Sequence, residues 1–302
     1  MDGRVSNLQQ VASLRRYTLT EGRGKGLDVI DCDNGKIRFL LNVTKALDIM
    51  QLYHKGQNMS FLSKNAFTAH ELPFGRRFEG GMLYTCGLDS VGSRAGYDMH
   101  GTIHNISAEI IRAECDENRL IVEAVVRDTA LFGQNLVLKR KITATVGAEE
   151  VMLEDTLVNE GFRDESYCLL YHINIGYPML DDGAMIKADI AENIPRNAWA
   201  EQNKSHAFMI SAPVSSEEET CYFLKLNKPE MSLINNRIGK KLTVVYSGDT
   251  LPCLVAWRSM ASGDYAFGIE PSTTYLDDKF SCSMIKAQES IVFNAKISIS
   301  EL

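Results

Sequence analysis

The sequence predicts an all-β protein of antiparallel strands, and three observations carry that prediction. Short segments in which polar and apolar residues alternate recur about every 10 to 20 residues, the period expected of strands with one face buried. No helix-length apolar periodicity separates them, which argues against βαβ units and for an antiparallel sandwich or barrel. Turn-forming residues punctuate them, as in Asp33-Asn34-Gly35 and Asp116-Glu117-Asn118.

The elements follow in chain order. Residues 6–16 read as a short helix, with Ser6 as a candidate N-cap and Leu8, Val11 and Leu14 roughly on one face. Strands take over from there. The segment 36–43 follows the first turn, 120–127 follows the second, and 136–146 ends at Gly147. Segments 150–159 and 166–175 continue the meander, and 220–226, 242–246, 253–257, 265–269 and 290–299 repeat it in the C-terminal half. No Pro/Ser-rich linker or fixed-period repeat divides the chain, so residues 1–302 are expected to form a single β domain.

Composition narrows the function. With 45% hydrophobic and 24% charged residues in 302, the chain is globular and large enough for a sizeable core. A net charge of −7 speaks against a nucleic-acid partner, which needs clustered Lys and Arg. Neither a signal-like apolar run at the start nor a stretch of about 18 apolar residues occurs, so a cytoplasmic protein without a membrane partner is expected. The seven cysteines contain no CxxC pair and are expected to be reduced, mostly buried thiols.

Three motifs carry chemistry: Met99-His100-Gly101, the run from Tyr171 to Pro178 that holds His172 and Asn174, and Gly268-Ile269-Glu270-Pro271. Two imidazoles and a carboxylate can serve as general acid and general base at one pH if the fold unites them. His172 and Asn174, two apart in a strand, should share a face. Glu270, held between Ile269 and Pro271, either finds a cation across the sheet or sits with a raised pKa in an apolar cleft. His100 and His104 have the i, i+4 spacing of a helical metal site, but Gly101 and Ile103 make a helix improbable there and no metal is expected. Arg76 and Arg77, beside Gly75, could clamp hydroxyls or an anionic group. Trp257 could stack on a sugar face or simply pack in the core. GxGxxG and Gly-x-Ser-x-Gly signatures are absent.

On His100-Gly101, His172-x-Asn174 and Glu270-Pro271, which stand in that family's order, together with Gly75-Arg76, similar to its Gly-Arg, the chain resembles the aldose 1-epimerase (galactose mutarotase-like) superfamily, most closely its poorly characterised aldose-1-epimerase-like branch. The resemblance implies a β-supersandwich and an isomerase that interconverts the α and β anomers of a free sugar. It implies Glu270 as the base at the anomeric hydroxyl, His172 as the acid at the ring oxygen and His100 as their neighbour on the substrate. Arg76, Arg77, Asn174 and Trp257 are the expected substrate contacts. Such chemistry needs no cofactor and no metal. The expected partner is a monosaccharide, neutral or, given Arg76 and Arg77, anionic or phosphorylated, with the protein a monomer or homodimer. A non-catalytic sugar-binding or sensing protein, and a glycan lyase or hydrolase on the same scaffold, are the alternatives.

Overall fold

The computed structural model describes residues 3–277 and 279–302. Strands β1 (Ser13–Thr18), β2 (Asp28–Asp33), β3 (Ile37–Asn42), β4 (Asp48–His54) and β5 (Gln57–Asn58) form a five-stranded sheet in sequence order. A small ribbon of β6 (Phe61–Leu62) and β7 (Gly80–Gly81) follows. The large sheet uses β8 (Tyr84–Leu88), β9 (Glu109–Cys115), β10 (Arg119–Thr129), β11 (Asn135–Thr145), β12 (Glu150–Asn159), β13 (Glu165–Ile175) and β14 (Met185–Pro195). It is completed by β15 (Thr220–Asn235), β16 (Lys240–Tyr246), β17 (Cys253–Ala261), β18 (Asp264–Ser272), β19 (Ser283–Ile285) and β20 (Ser290–Glu301).

Its thirteen strands run β19-β13-β18-β17-β15-β16-β20-β12-β11-β10-β9, with β8 also on β13 and β14 on β15. The ladders are antiparallel, so the expected all-β antiparallel architecture is what the chain adopts. Alternation explains the strands locally. In β10, Leu120, Val122, Ala124 and Val126 are buried, and in β11 Leu136, Leu138 and Ile142 join the same core. Each such Leu, Val or Ile side chain contributes about 1.5–3 kcal/mol on leaving water.

The N-terminal helix expected over residues 6–16 is not formed. Asn7 caps a single 3₁₀ turn, Leu8–Gln10, and Gln10 closes a capping box onto it. The chain then extends into β1, paired with β2 from Ser13–Asp33 to Thr18–Asp28. An isolated helix of that length is marginal in water, and six residues of ladder against β2 outweigh it.

Strand β13 separates two cores. Leu169, Tyr171, Ile173 and Ile175 face the main core, while Cys168 and Leu170 face a smaller one with Tyr84, Cys86, Val91, Cys221, Phe223 and Val255. Phe74, Phe78 and Trp257 pack against the smaller core from outside. The period of two therefore puts His172 and Asn174 on the smaller core's side of β13.

Candidate functional site

A cleft of about 400 Å³ opens over the smaller core, lined by His100, His172, Glu270, Trp257, Phe61, Phe74, Phe78, Met99, Arg196, Glu217, Glu219, Cys221, Lys64 and Asp264 among others. The three motifs of the sequence meet here. Leu170–Ser272 and Ile173–Ile269 pair across β13 and β18, and that register frames His172 and Glu270 opposite one another. His172 Nε2 lies 3.2 Å from Glu270 Oε1. The contact is close but misaligned, and Oε1 has no hydrogen-bond partner. Both residues are buried, at 4% and 1% exposure.

The glycines of the motifs have steric reasons. A Cβ on Gly268 would collide with Glu270 Oε1, and would stand 3.3 Å from Glu270 Cδ and 3.1 Å from Trp257 Cβ. The carboxyl group folds back over the bare Gly268 backbone. Gly101 has φ +74°, and a Cβ there would strike Gly87 O, Asp89 Oδ1 and Ser90 O. That tight turn delivers His100, itself at φ +63°, to the cleft. The His100 N–H donates to Gly92 O at 2.9 Å and Gly92 N–H donates to His100 Nδ1 at 3.2 Å. With Nδ1 accepting, the neutral ring carries its proton on Nε2. The His100 and His172 ring centroids are 5.5 Å apart, edge to face.

Burial dominates the proton affinities. It pushes the Glu270 carboxyl well above the ordinary carboxylate range, reinforced by Glu219 and opposed by Arg196. Burial also holds His172 well below the ordinary imidazole value, with His100 acting in the same direction and Asn174 opposing. His100 is pulled by burial down to about 4, against Glu219, with Arg196 and Arg77 lowering it further. At these buried positions the uncharged forms of the imidazoles and of the carboxyl are favoured.

Four expected substrate contacts divide. Trp257 lines the cleft and also packs edge-on to His172 at 5.3 Å, its indole N–H donating to Glu219 Oε2 at 2.6 Å. Asn174 is fully buried and does not line the cleft; its Nδ2 donates to the carbonyl of His172 at 2.9 Å. Arg77 turns inward, donating to Asp98 Oδ2 at 2.5 Å and Leu72 O at 2.6 Å. Arg76 is exposed on the same short helix, Phe74–Arg77, and is also absent from the lining. Phe74 and Gly75 are the residues of this helical turn that line the cleft, so Arg76 and Arg77, next along the turn, point elsewhere.

The cleft's arginine is Arg196, which sequence reasoning missed. It follows β14, bonded N–H to Cys221 O at 3.0 Å, and its Nη2 meets Glu219 Oε1 at 2.9 Å. The pairing of Pro195 with Tyr222 brings the two hairpin ends together. A charged residue just beyond each of two pairing strands is the signal that could have found them.

A second polar assembly lies behind the site. His104 bridges two carboxyl groups, its Nδ1 2.6 Å from Asp48 Oδ2 and its Nε2 3.2 Å from Glu79 Oε1. Although burial opposes it, Glu79 and Asp48 together raise the proton affinity of His104. Arg140, fully buried, bridges Asp48 (2.6 Å) and Asp155 (2.7 Å), and Tyr171 donates to Asp155 at 2.7 Å. The Tyr84 ring stacks on His104 at 3.7 Å and meets Phe78 at 5.1 Å, joining this network to the cleft wall. Among the described residues no group of three or more His, Cys, Asp or Glu is arranged to hold a metal ion, and no helix is long and apolar enough to cross a membrane.

The architecture recurs in solved structures. A "putative aldose 1-epimerase" from Klebsiella pneumoniae subsp. pneumoniae MGH 78578 superposes with a TM-score of 0.87 at 18% identity, over 97% of this chain and 86% of that one. A galactose mutarotase-like protein from Clostridium acetobutylicum gives 0.73 at 15% identity, over 97% and 100% of the two chains. The galactose 1-epimerase of Lactobacillus acidophilus NCFM gives 0.66 at 13% identity, over 96% and 99%. No curated protein matches at a significant level. At these identities the likeness establishes the fold, which is that of the galactose mutarotase-like proteins. The family described as "Domain of unknown function (DUF4432)" matches residues 24–283, most of the sequence, and the chain belongs to that family.

Proposed function

We propose that this protein is an aldose 1-epimerase that interconverts the α and β anomers of a free monosaccharide. The observation that carries the reading is the pair His172 Nε2 and Glu270 Oε1, 3.2 Å apart and buried against a cleft that His100 also lines. Ring opening at an anomeric carbon requires one proton to leave the anomeric hydroxyl as another reaches the ring oxygen. Glu270, as carboxylate, takes the first, and His172, as imidazolium, supplies the second. Rotation about the C1–C2 bond and reclosure with the proton movements reversed give the other anomer. Desolvation suits both roles, since a carboxylate of raised proton affinity is a stronger base and an imidazolium of lowered affinity a stronger acid. His100, neutral with its proton on Nε2, offers a donor to a substrate oxygen.

A neutral sugar fits better than a phosphorylated one. The cleft's cations, Lys64 and Arg196, are already paired with Asp264 (2.7 Å) and Glu219 (2.9 Å), and Glu217 and Glu270 add further carboxyl groups. Arg76 and Arg77 lie away from it. The Trp257 indole supplies an apolar surface for the C–H face of a pyranose.

Saturation-transfer NMR on a panel of aldoses tests the proposal. Wild type is expected to accelerate anomer exchange of at least one neutral aldose, and Glu270→Gln to lower kcat by about 10²- to 10⁴-fold, the usual worth of a general acid–base group. Exchange at the spontaneous rate for every sugar in the presence of folded wild type would sink it.

A further inference from the structure

Among the described residues, three buried polar atoms at the site have no hydrogen-bond partner: His172 Nδ1, Asn174 Oδ1 and Glu270 Oε1. A buried polar group left unpaired costs about 1–3 kcal/mol, and these three belong to neighbouring side chains, with His172 Nε2 3.2 Å from Glu270 Oε1 and Asn174 two residues along the same strand face, so they call for a common cause. One placement of protons satisfies them all. Asn174 Nδ2 is already committed to the carbonyl of His172 at 2.9 Å, which leaves Oδ1 as the free acceptor. His172 and Asn174 are two apart in β13 and share its face, so that acceptor stands beside the imidazole.

We propose that Asn174 is a positioning residue that accepts a hydrogen bond from His172 Nδ1–H, so that Nε2 is left to share one mobile proton with Glu270 Oε1. At rest the proton is on the carboxyl group, which donates to the bare Nε2. The low dielectric of the site disfavours the separated charges, in keeping with the opposite displacements of the two proton affinities. Transfer breaks one O–H bond and forms one N–H bond. It turns the resting acid and imidazole into carboxylate and imidazolium, with no proton exchanged with solvent. Asn174 Oδ1 then stabilises the imidazolium through its Nδ1–H. In the other tautomer Nε2–H could still donate to Glu270 Oε1, but the bare Nδ1 would face the Asn174 oxygen and leave two acceptors without a donor.

The charged or titratable neighbours of the pair are His100 from the loop ending at Gly101, Cys86 on β8, Cys221 on β15, and Arg196 with Glu219 at the cleft rim. Neither they nor Asn174 Oδ1 meets Nδ1 in full hydrogen-bonding geometry among the described residues, and Asn174 is the side chain whose hydrogen bonding raises the proton affinity of His172. The consequence for catalysis rests on the anomer-exchange reading, whereas the tautomer itself does not.

Long-range ¹H–¹⁵N correlation spectra of the wild-type protein at neutral pH, with His172 assigned by its loss in His172→Gln, read the tautomer directly. A proton on Nδ1 and a bare Nε2 are expected; an Nε2–H tautomer would overturn the proposal even if the protein turns over a sugar. Asn174→Ala is expected to mix the tautomers and to lower kcat of anomer exchange tenfold or more with KM little changed. Asn174→Asp, which keeps an acceptor, is expected to hold Nδ1–H and to move the pH profile to higher pH. Retention of a pure Nδ1–H tautomer and full kcat in folded Asn174→Ala would also refute it. Should Asn174→Ala fail to fold, or should no sugar be turned over, the wild-type spectrum alone decides.

Discussion

Replacing Gly268 by alanine isolates the position of the carboxylate from its chemistry. The added methyl would stand well inside 3.0 Å of Glu270 Oε1 and 3.3 Å from Cδ, while ordinary contact begins near 3.4 Å. The carboxyl group is the movable end of a side chain, so it yields, withdrawing by about 1 Å. Misplacement on that scale can cost about 10²-fold in rate. Trp257 Cβ, at 3.1 Å, needs only a few tenths of an ångström. Alanine also restricts the unfolded chain, which stabilises by about 0.4–1 kcal/mol where the backbone accepts it, and Gly268 does not have a left-handed φ. The expected signature is therefore a loss of about 10²-fold in kcat/KM for anomer exchange with a melting temperature close to wild type. Saturation-transfer NMR and thermal melts on the same samples measure both. Full activity in a folded Gly268→Ala protein would mean that the Glu270 rotamer folded over Gly268 is not the working one, and the steric argument would fail.

Two further outcomes follow from buried charge. His100 titrates at about 4 in the folded chain against about 6.5 in the unfolded one. Its lowered value means that stability is present above pH 6.5 and is lost as pH falls toward 4, by up to about 3 kcal/mol at 1.36 kcal/mol per pH unit. His100→Gln should therefore lose less stability than wild type between pH 7.5 and 4.5 in urea titrations, and parallel losses would contradict the assignment. Asp48→Ala leaves Arg140 and His104 facing a missing carboxylate and should cost about 3–5 kcal/mol, read as a lowered denaturant midpoint. A stability loss below about 1 kcal/mol would show that Arg140 and His104 find other partners.

The strands were legible because β12 alternates throughout and β10 and β11 alternate over most of their length, apart from the buried runs Leu120-Ile121-Val122 and Leu136-Val137-Leu138. The N-terminal error has a specific source: Leu8, Val11 and Leu14 fall at helical spacing, while the partner that fixes β1 as a strand is β2, invisible in local periodicity. His100, His172 and Glu270 were legible because each sits in a short motif with a glycine or proline, and the glycines beside His100 and Glu270 have steric work to do. Arg196 and Glu219 carry no local motif and become neighbours only through the β14–β15 hairpin. The buried network did leave a trace. Arg140 occupies the inward phase of Leu136, Leu138 and Ile142, and Asp155 that of Val151, Leu153 and Leu157. A charge in the core phase of a strand must find an opposite one, and here the two find each other.

His172 and Glu270 project from facing positions of two adjacent strands deep in a thirteen-stranded sheet, whereas His100 projects from a loop turned by Gly101. The backbone span between the first two is set by the interstrand ladder, so their Cα positions cannot separate without unzipping β13 from β18. The span from either of them to His100 is set by side-chain packing and a few loop hydrogen bonds, a far softer spring. Any adjustment of this site to differently shaped ligands, by substitution or by thermal motion, has its cheapest coordinate in the loop before Gly101, with the proton-bearing pair acting as the fixed datum against which that loop moves.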